Sequence, residues 1–313
     1  WLRVDDDWIF PSEHGAVRQR LIDGAPVVET VIRAAGGDLI HRVYAARGDS
    51  EYLIVEVDNQ ATRPVALAWA IRPYDHLGGG RVENIGLEDR TLYIDGQVGV
   101  ICGRTPGRLV TGSGGVDPAL SLDKTEESPK SVVCEQGMAS AALITPLVHG
   151  ATLRCVVPLG APPDSDPTSK LPTASQVARG WGHHAVKASR FLLPPGHLND
   201  VFDAARQSLL LASTGEDLVP APGGPPHTAS DEAAVLIGLA ECGYEIAVRE
   251  ILISRAKRQD RMGAVVHNGI DVTSATLTAA GRALELAPDK ALSKALSEFA
   301  ADGARWILAN PDP

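Results

Sequence analysis

The hydrophobic pattern changes period once along the chain. Between residues 26 and 159 apolar positions alternate with polar ones, the period of strands that bury one face. Residues 26–33 and 39–46 are two such runs, split by Gly36 and Gly37. Residues 52–57 set Leu53, Val55 and Val57 against Tyr52, Ile54 and Glu56, and residues 65–74 put Val65, Leu67, Trp69 and Ile71 on one face. The polar stretch 58–64 between them reads as a turn. Runs at 81–94, 98–102, 138–147 and 152–159 complete the set. Short strands at this spacing, with turn signals between them, predict a large antiparallel sandwich over 1–159. Residues 103–131 lack periodicity and are predicted to form a long surface excursion.

Residues 160–197 open with a Pro/Ser-rich stretch and are read as a linker. From Leu198 the period becomes helical. Leu198, Val201, Phe202, Ala205, Leu209 and Ala212 mark the buried face of a first helix. The segment 231–242 is apolar almost all round, which predicts a helix buried on every side. Ser230 or Thr228 is its N-cap, Asp231 and Glu232 lie in its first turn, and a Pro/Gly loop, 220–226, precedes it. Gly243 ends it. A helix over 244–258 follows, with Glu245, Arg249, Glu250, Arg255, Lys257 and Arg258 on a polar face. A fourth helix, 273–287, is again apolar or small nearly all round. A fifth, 289–309, carries Leu292, Leu296, Phe299, Gly303 and Trp306 on one face and is capped by Asp289. Buried and two-faced helices alternate over 198–313, the pattern of helical hairpins whose inner members line a curved array.

Composition narrows the function classes. A length of 313 residues accommodates two domains, and 44% hydrophobic with 22% charged residues describes a globular chain. The formal net charge of −10 is spread without a basic stripe, which argues against nucleic acid and anionic membrane as partners. No apolar run reaches the ~18–20 residues of a membrane span. Cys102, Cys134, Cys155 and Cys242 form no C-x-x-C pair, and free thiols in a cytoplasmic protein are expected. The chain begins at Trp1 rather than Met, so a secreted origin stays open. His183 and His184 lack ligand spacing; neither a metal nor a cofactor is expected.

Several stretches carry a resemblance. Residues 68–74, AWAIRPY, are similar to a sandwich strand ending in R-P-Y. Thr145-Pro146-Leu147 and Val156-Val157-Pro158-Leu159 look like paired P-L strand ends, residues 220–234 like the loop P-G-P-G-x-Y-x-x-W-x-R-D-A-A, and Ile270-Asp271-Val272-Thr273 like W-D-x-T/G. These patterns, in this order, resemble the six-hairpin glycosidases, in particular the glucoamylase-like family and its bacterial relatives. The resemblance implies a multidomain β-then-α chain: an N-terminal antiparallel β-supersandwich followed by a partial (α/α)6 barrel of helical hairpins. It implies a glycoside hydrolase-like protein acting on α-glucosidic or related oligosaccharides. Thr228 and Ser230 stand where the family has Trp and Arg, so of that clamp only Asp231 matches. The family's acid and base lie beyond the helices present, so this chain is expected to carry part of the sugar site without the catalytic pair. A non-catalytic carbohydrate-binding or scaffold protein with the same fold is the other reading, favoured by 4% aromatic content.

The candidate substrate-binding residues are Asp231, Asp271, His227, His267 and Arg261. Asp231 and Asp271 each stand at the start of a buried helix, so the loops 220–231 and 261–272 are expected side by side. N-capping or compensation of the helix dipole is the competing role for both carboxylates. His227 and His267 share those loops and could donate to sugar hydroxyls, and Arg261 could replace the missing clamp or pair with Asp260. Expected partners are an oligosaccharide or glycoside, and the remainder of the same polypeptide or a second copy covering an open helical edge that bears Leu277, Leu284, Leu292 and Trp306.

Overall fold

The computed structural model describes residues 1–313 except 6, 75–77, 125–128, 190, 192–193, 195, 214, 222–223, 266–268 and 311–313. The chain divides into two compact units, Trp1–Trp181 and Gly182–Pro313.

The first unit is a sandwich of two antiparallel sheets. One has the order β11 (Arg108–Gly112), β13 (Ser140–Leu147), β7 (Val65–Ile71), β1 (Leu2–Val4), β2 (Asp7–Ile9). The other runs β12 (Ser131–Val133), β8 (Asn84–Glu88), β9 (Thr91–Ile94), β10 (Gln97–Cys102), β14 (Thr152–Pro158), β6 (Glu51–Asn59), β5 (Gly37–Arg47), β4 (Val27–Ala34), β3 (Val17–Leu21). Leu39, Val57, Leu153 and Cys155 of the larger sheet meet Leu67, Leu109, Leu143 and Leu147 of the smaller in the core between them.

Two details depart from the sequence pattern. The expected excursion 103–131 contains β11, paired along β13. Its Leu109 and Val110 are both buried, in different clusters, so the strand shows no alternation. The run 81–94 is a hairpin, β8 and β9, turned at Asp89, whose φ of 49° lies in the left-handed region.

The larger sheet's other face is not bare. Tyr44, Tyr52, Ile54 and Val156 are covered by Leu171, Ala174 and Ala178, which explains why both faces of β6 are apolar. Ala174 and Ala178 belong to α1 (Ala174–Lys187), a helix inside the stretch read as linker. Beside that cluster a row of alternating charge crosses five strands in register: Arg20, Glu29, Arg42, Glu56 and Arg154. Opposite charges directly across from one another stabilise strand pairing. Arg20 and Arg42 reach Glu29 at 2.7 and 2.9 Å, and Arg154 reaches Glu56 at 2.5 Å.

The second unit is helical: α2 (His197–Leu211), α3 (Ala229–Glu241), α4 (Glu245–Lys257), α5 (Gly269–Leu286) and α6 (Lys290–Ala309). α3 packs on α5, with α4 and α6 against the pair and α2 beside α3. Leu236 and Leu239 of α3, Val248, Ile251 and Leu252 of α4, Ala279, Ala280 and Ala283 of α5, and Leu292, Leu296 and Phe299 of α6 form its core.

Three expectations about helix faces are corrected here. α3 is not buried on every side: Leu236 and Leu239 are buried, Val235 and Ile237 are half-buried, and Ala234 is exposed. On α2, Leu198 and Val201 are exposed (65% and 49%), and the packed side carries Phe202, Leu209 and the buried Arg206. Arg206 donates to the Ala185 carbonyl at 3.1 Å and stacks near the Phe202 and Tyr244 rings, so its charge is neither bare nor wasted. Last, Leu277, Leu284 and Leu292 belong to the helical core, and Trp306 is half-buried. α5 packs against α6 and α4, so Leu292 is buried and the other three are half-buried rather than open.

Candidate functional site

Among the described residues, a polar cavity opens in each unit. The larger, about 580 Å³, lies on the outer face of the nine-stranded sheet against Arg42, Glu56, Asp58, Arg104 and Arg154. Most of its charges are already consumed. Arg154 donates to Glu56 and to the carbonyls of Thr168 and Leu171, and Arg42 binds Glu29 and Asp58. This network fastens residues 168–172 to the sheet.

The second cavity, about 480 Å³, opens where the loop before α3 meets the start of α5, and Pro220, Pro226, His227, Thr228, Glu232 and Asp271 line it. The starts of α3 and α5 therefore lie side by side, with their N-termini at the same end. The cause is parallel packing of two helices that each follow an outer helix, so their starts share one end of the layer.

The local chemistry assigns each residue a place. Thr228 is the N-cap of α3: its hydroxyl accepts from the Asp231 amide, and the Asp231 carboxylate accepts from the Thr228 amide and hydroxyl at 2.9 and 2.7 Å. This reciprocal arrangement satisfies backbone donors that a helix start leaves open. The Thr228 hydroxyl and amide, with a smaller contribution from His227, hold the Asp231 carboxyl below the usual carboxylate range. Asp231 is exposed and turned to its own cap. Glu232, one position on and so rotated by about 100°, faces the cavity instead.

Glu232 is backed by an arginine the sequence placed on a polar face. Arg255 of α4 is buried, its side chain 4% exposed, and its Nη2 lies 2.9 Å from Glu232 Oε2. That contact runs off the N–H direction, so the ion pair leaves Glu232 Oε2 buried without a hydrogen-bond donor. Arg255 also donates to the Thr276 hydroxyl of α5 at 3.1 Å and stands 3.6 Å from Asp217, which Arg258 contacts at 2.7 Å. Burial pushes the Asp217 carboxyl up, but Arg258, the Leu218 amide and Arg255 together outweigh it and hold it below the ordinary range. One guanidinium in the last turn of α4 thus ties together the first turn of α3, the Thr276 hydroxyl of α5 and the loop carrying Asp217 beneath the cavity floor. Its signal was present in the sequence: Val248, Ile251, Leu252 and Arg255 share one helical face, and all four are buried.

The remaining candidates divide. Asp271 lines the cavity from within the first turn of α5, which begins at Gly269, so it does not cap that helix. His227 lines the cavity and is half-buried. Arg261 is exposed on the turn that follows α4 and does not line it. Asp260 is not its partner in that turn: the Asp260 carboxylate accepts from the amides of Met262, Gly263 and Ala264. His267 lies outside the described residues. The described lining combines carboxylates, an imidazole and a hydroxyl with proline walls, a set suited to hydrogen-bonding a neutral ligand rich in hydroxyls.

No protein-family model matches the sequence, and no curated protein matches it. Solved structures do. A protein from the human microbiome assigned as a kojibiose phosphorylase is similar at a TM-score of 0.54 and 9% identity, over 98% of this chain and 48% of that one. The family GH92 α-mannosidase of Bacteroides thetaiotaomicron matches at a TM-score of 0.30 and 10% identity, over 93% of this chain and 50% of that one. The same enzyme with mannoimidazole matches at 0.29 and 9% identity, over 93% and 49%. The mannosidase values carry no argument for this chain. The likeness to the phosphorylase is one of fold, and it bears out the expected order of a β-sandwich followed by helical hairpins. The chain spans about half the length of the structures it matches.

Proposed function

We propose that this chain is a carbohydrate-binding member of the six-hairpin glycosidase fold, and that the cavity at the starts of α3 and α5 is its sugar site. The observation that carries the reading is the convergence of Glu232, Asp271 and His227 on one polar cavity at the ends of two parallel inner helices. In this reading Asp271 and Glu232 accept hydrogen bonds from sugar hydroxyls, and His227 donates or accepts beside them. Asp231 shapes the loop through its cap, His267 and Arg261 are further candidates for contact with the sugar, and Arg255 holds Glu232 from below as a positioning residue. The substrate class is an α-glucosidic or related oligosaccharide. The acid and base of glycoside chemistry are not assigned to this chain.

A second reading, a scaffold without sugar affinity, draws on one specific observation: no Phe, Tyr or Trp is among the described lining residues of the cavity. Titration calorimetry with maltose and kojibiose separates the two. Saturable binding, weakened about tenfold or more by Asp271→Asn (about 1.4 kcal/mol for one charge-assisted hydrogen bond), supports the sugar site. No heat with either sugar at millimolar concentration supports the scaffold.

A further inference from the structure

The four cysteines are unbonded and buried, but two of them are not alone. Cys102 is the last residue of β10 and stands directly opposite Cys155 of β14. The pair occupies a particular kind of position in the ladder. The neighbouring couple is hydrogen-bonded, Gly103 donating to the Arg154 carbonyl at 2.7 Å, and the Cys102 amide points the other way, to the Arg90 carbonyl of the adjoining turn. Cys102 and Cys155 therefore form a non-hydrogen-bonded pair, where opposite Cα atoms approach to about 4.5 Å and side chains are nearest. That separation lies inside the roughly 4.4–6.8 Å range that a disulfide spans. Both thiols face the core between the sheets, side by side across the ladder.

We propose that Cys102 and Cys155 are an oxidative cross-linking site, at which hydrogen peroxide joins β10 to β14 through an interstrand disulfide. The order of events follows from the asymmetry of the pair. Cys102 stands at the strand end with its amide on the Arg90 carbonyl; the adjacent Cys155 thiol and the Arg90 charge outweigh burial and hold its thiol below the ordinary range, whereas the neighbouring Cys102 and burial push that of Cys155 up. The Cys102 thiolate attacks one peroxide oxygen, the O–O bond breaks, and the departing hydroxide takes up the released proton as water. The resulting sulfenic acid is attacked by Cys155; the S–S bond forms, the S–O bond breaks, and the second water leaves with the Cys155 proton. Two thiols and one peroxide become one disulfide and two waters. Cys102 is the last residue of β10, where the strand gives way to the turn at Gly103, and opening of that strand end admits peroxide to the otherwise buried thiols. Cys134 follows β12 and Cys242 caps the end of α3, both outside the β10–β14 pairing, and they are expected to remain thiols.

The test is made on the folded full chain. Peroxide treatment, alkylation of free thiols after unfolding, and peptide mass spectrometry are expected to show the Cys102 and Cys155 peptides joined and lighter by two hydrogens. Titratable thiols should fall from four to two and return with dithiothreitol. Four surviving thiols, or oxidised but unlinked Cys102 and Cys155, would overturn the proposal. In Cys155→Ser, Cys102 should accumulate a dimedone-trapped sulfenic acid, while Cys155 in Cys102→Ser should stay unlabelled. Equal labelling of both would overturn the assigned order of attack.

Discussion

Replacing Arg255 by Met removes the charge beneath the cavity while keeping an unbranched aliphatic chain in its place. The Arg255 side chain is 4% exposed and that of Glu232 16%, so the pair is nearly out of water. Breaking such a pair costs about 3–5 kcal/mol, mostly because the surviving charge is left uncompensated. The residual exposure of Glu232, and the retention of Arg258 by Asp217 at 2.7 Å, argue for the lower end. The fully buried Thr276 hydroxyl loses its 3.1 Å partner, which adds about 1 kcal/mol. The expected total is about 3–4 kcal/mol. Glu232→Gln should cost less, about 1–2 kcal/mol, since Arg255 keeps Asp217 at 3.6 Å. The double variant should cost less than the sum by at least about 1 kcal/mol, because the second substitution removes the charge that the first one stranded. Urea unfolding followed by far-ultraviolet circular dichroism reports these changes, since α2 to α6 supply most of the helix. An Arg255→Met variant within about 0.5 kcal/mol of the parent, or a strictly additive cycle, would refute the claim that this guanidinium organises the cavity floor.

Three further outcomes are expected. Gly263 has a φ of +106°, and a Cβ there would press on the Asp302 carbonyl of α6, so Gly263→Ala should destabilise the helical unit by more than about 1 kcal/mol; Gly281, mid-helix with open space around it, should accept Ala with a gain of roughly 0.5–1 kcal/mol, both read from thermal melts. Burial pushes the Glu29 carboxyl up, but the bonds from Arg20 and Arg42 outweigh it and hold it below its ordinary value of 4.5. A depressed carboxyl contributes stability that is present above its unfolded-state value and lost as pH falls through the folded one, so the sandwich should weaken below pH 4.5, with Glu29→Gln flattening that acid limb in a tryptophan-fluorescence titration. Asp231→Ala should fray the start of α3, visible as faster amide exchange over the first turn, with a smaller effect on sugar affinity than Asp271→Asn; the reverse order would make Asp231 a ligand and not a cap.

The order of a β-sandwich and a helical layer was legible in the sequence because it rests on local periods of two and about 3.6, which every turn or strand repeats. The cap at Asp289 was legible for the same reason, its partners lying within four residues, and that of α3 was narrowed to Thr228 or Ser230, of which the structure selects Thr228. The meeting of the starts of α3 and α5 followed from the alternation of inner and outer helices. What tertiary structure alone decided are the choices that depend on distant partners. Asp231 and Glu232 read alike in sequence, but one bonds to its own cap and the other turns onto Arg255, and only the packing of α4 against α3 determines which faces the cavity. β11 stayed hidden because burial on both faces erases alternation, and α2 was read on the wrong face because a buried Arg206 counts as polar until the carbonyl and rings that receive it are known. The opposition of Cys102 and Cys155 lies furthest from sequence: a strand's own residues specify its faces, but its register against a partner 53 positions away is set by the whole sheet.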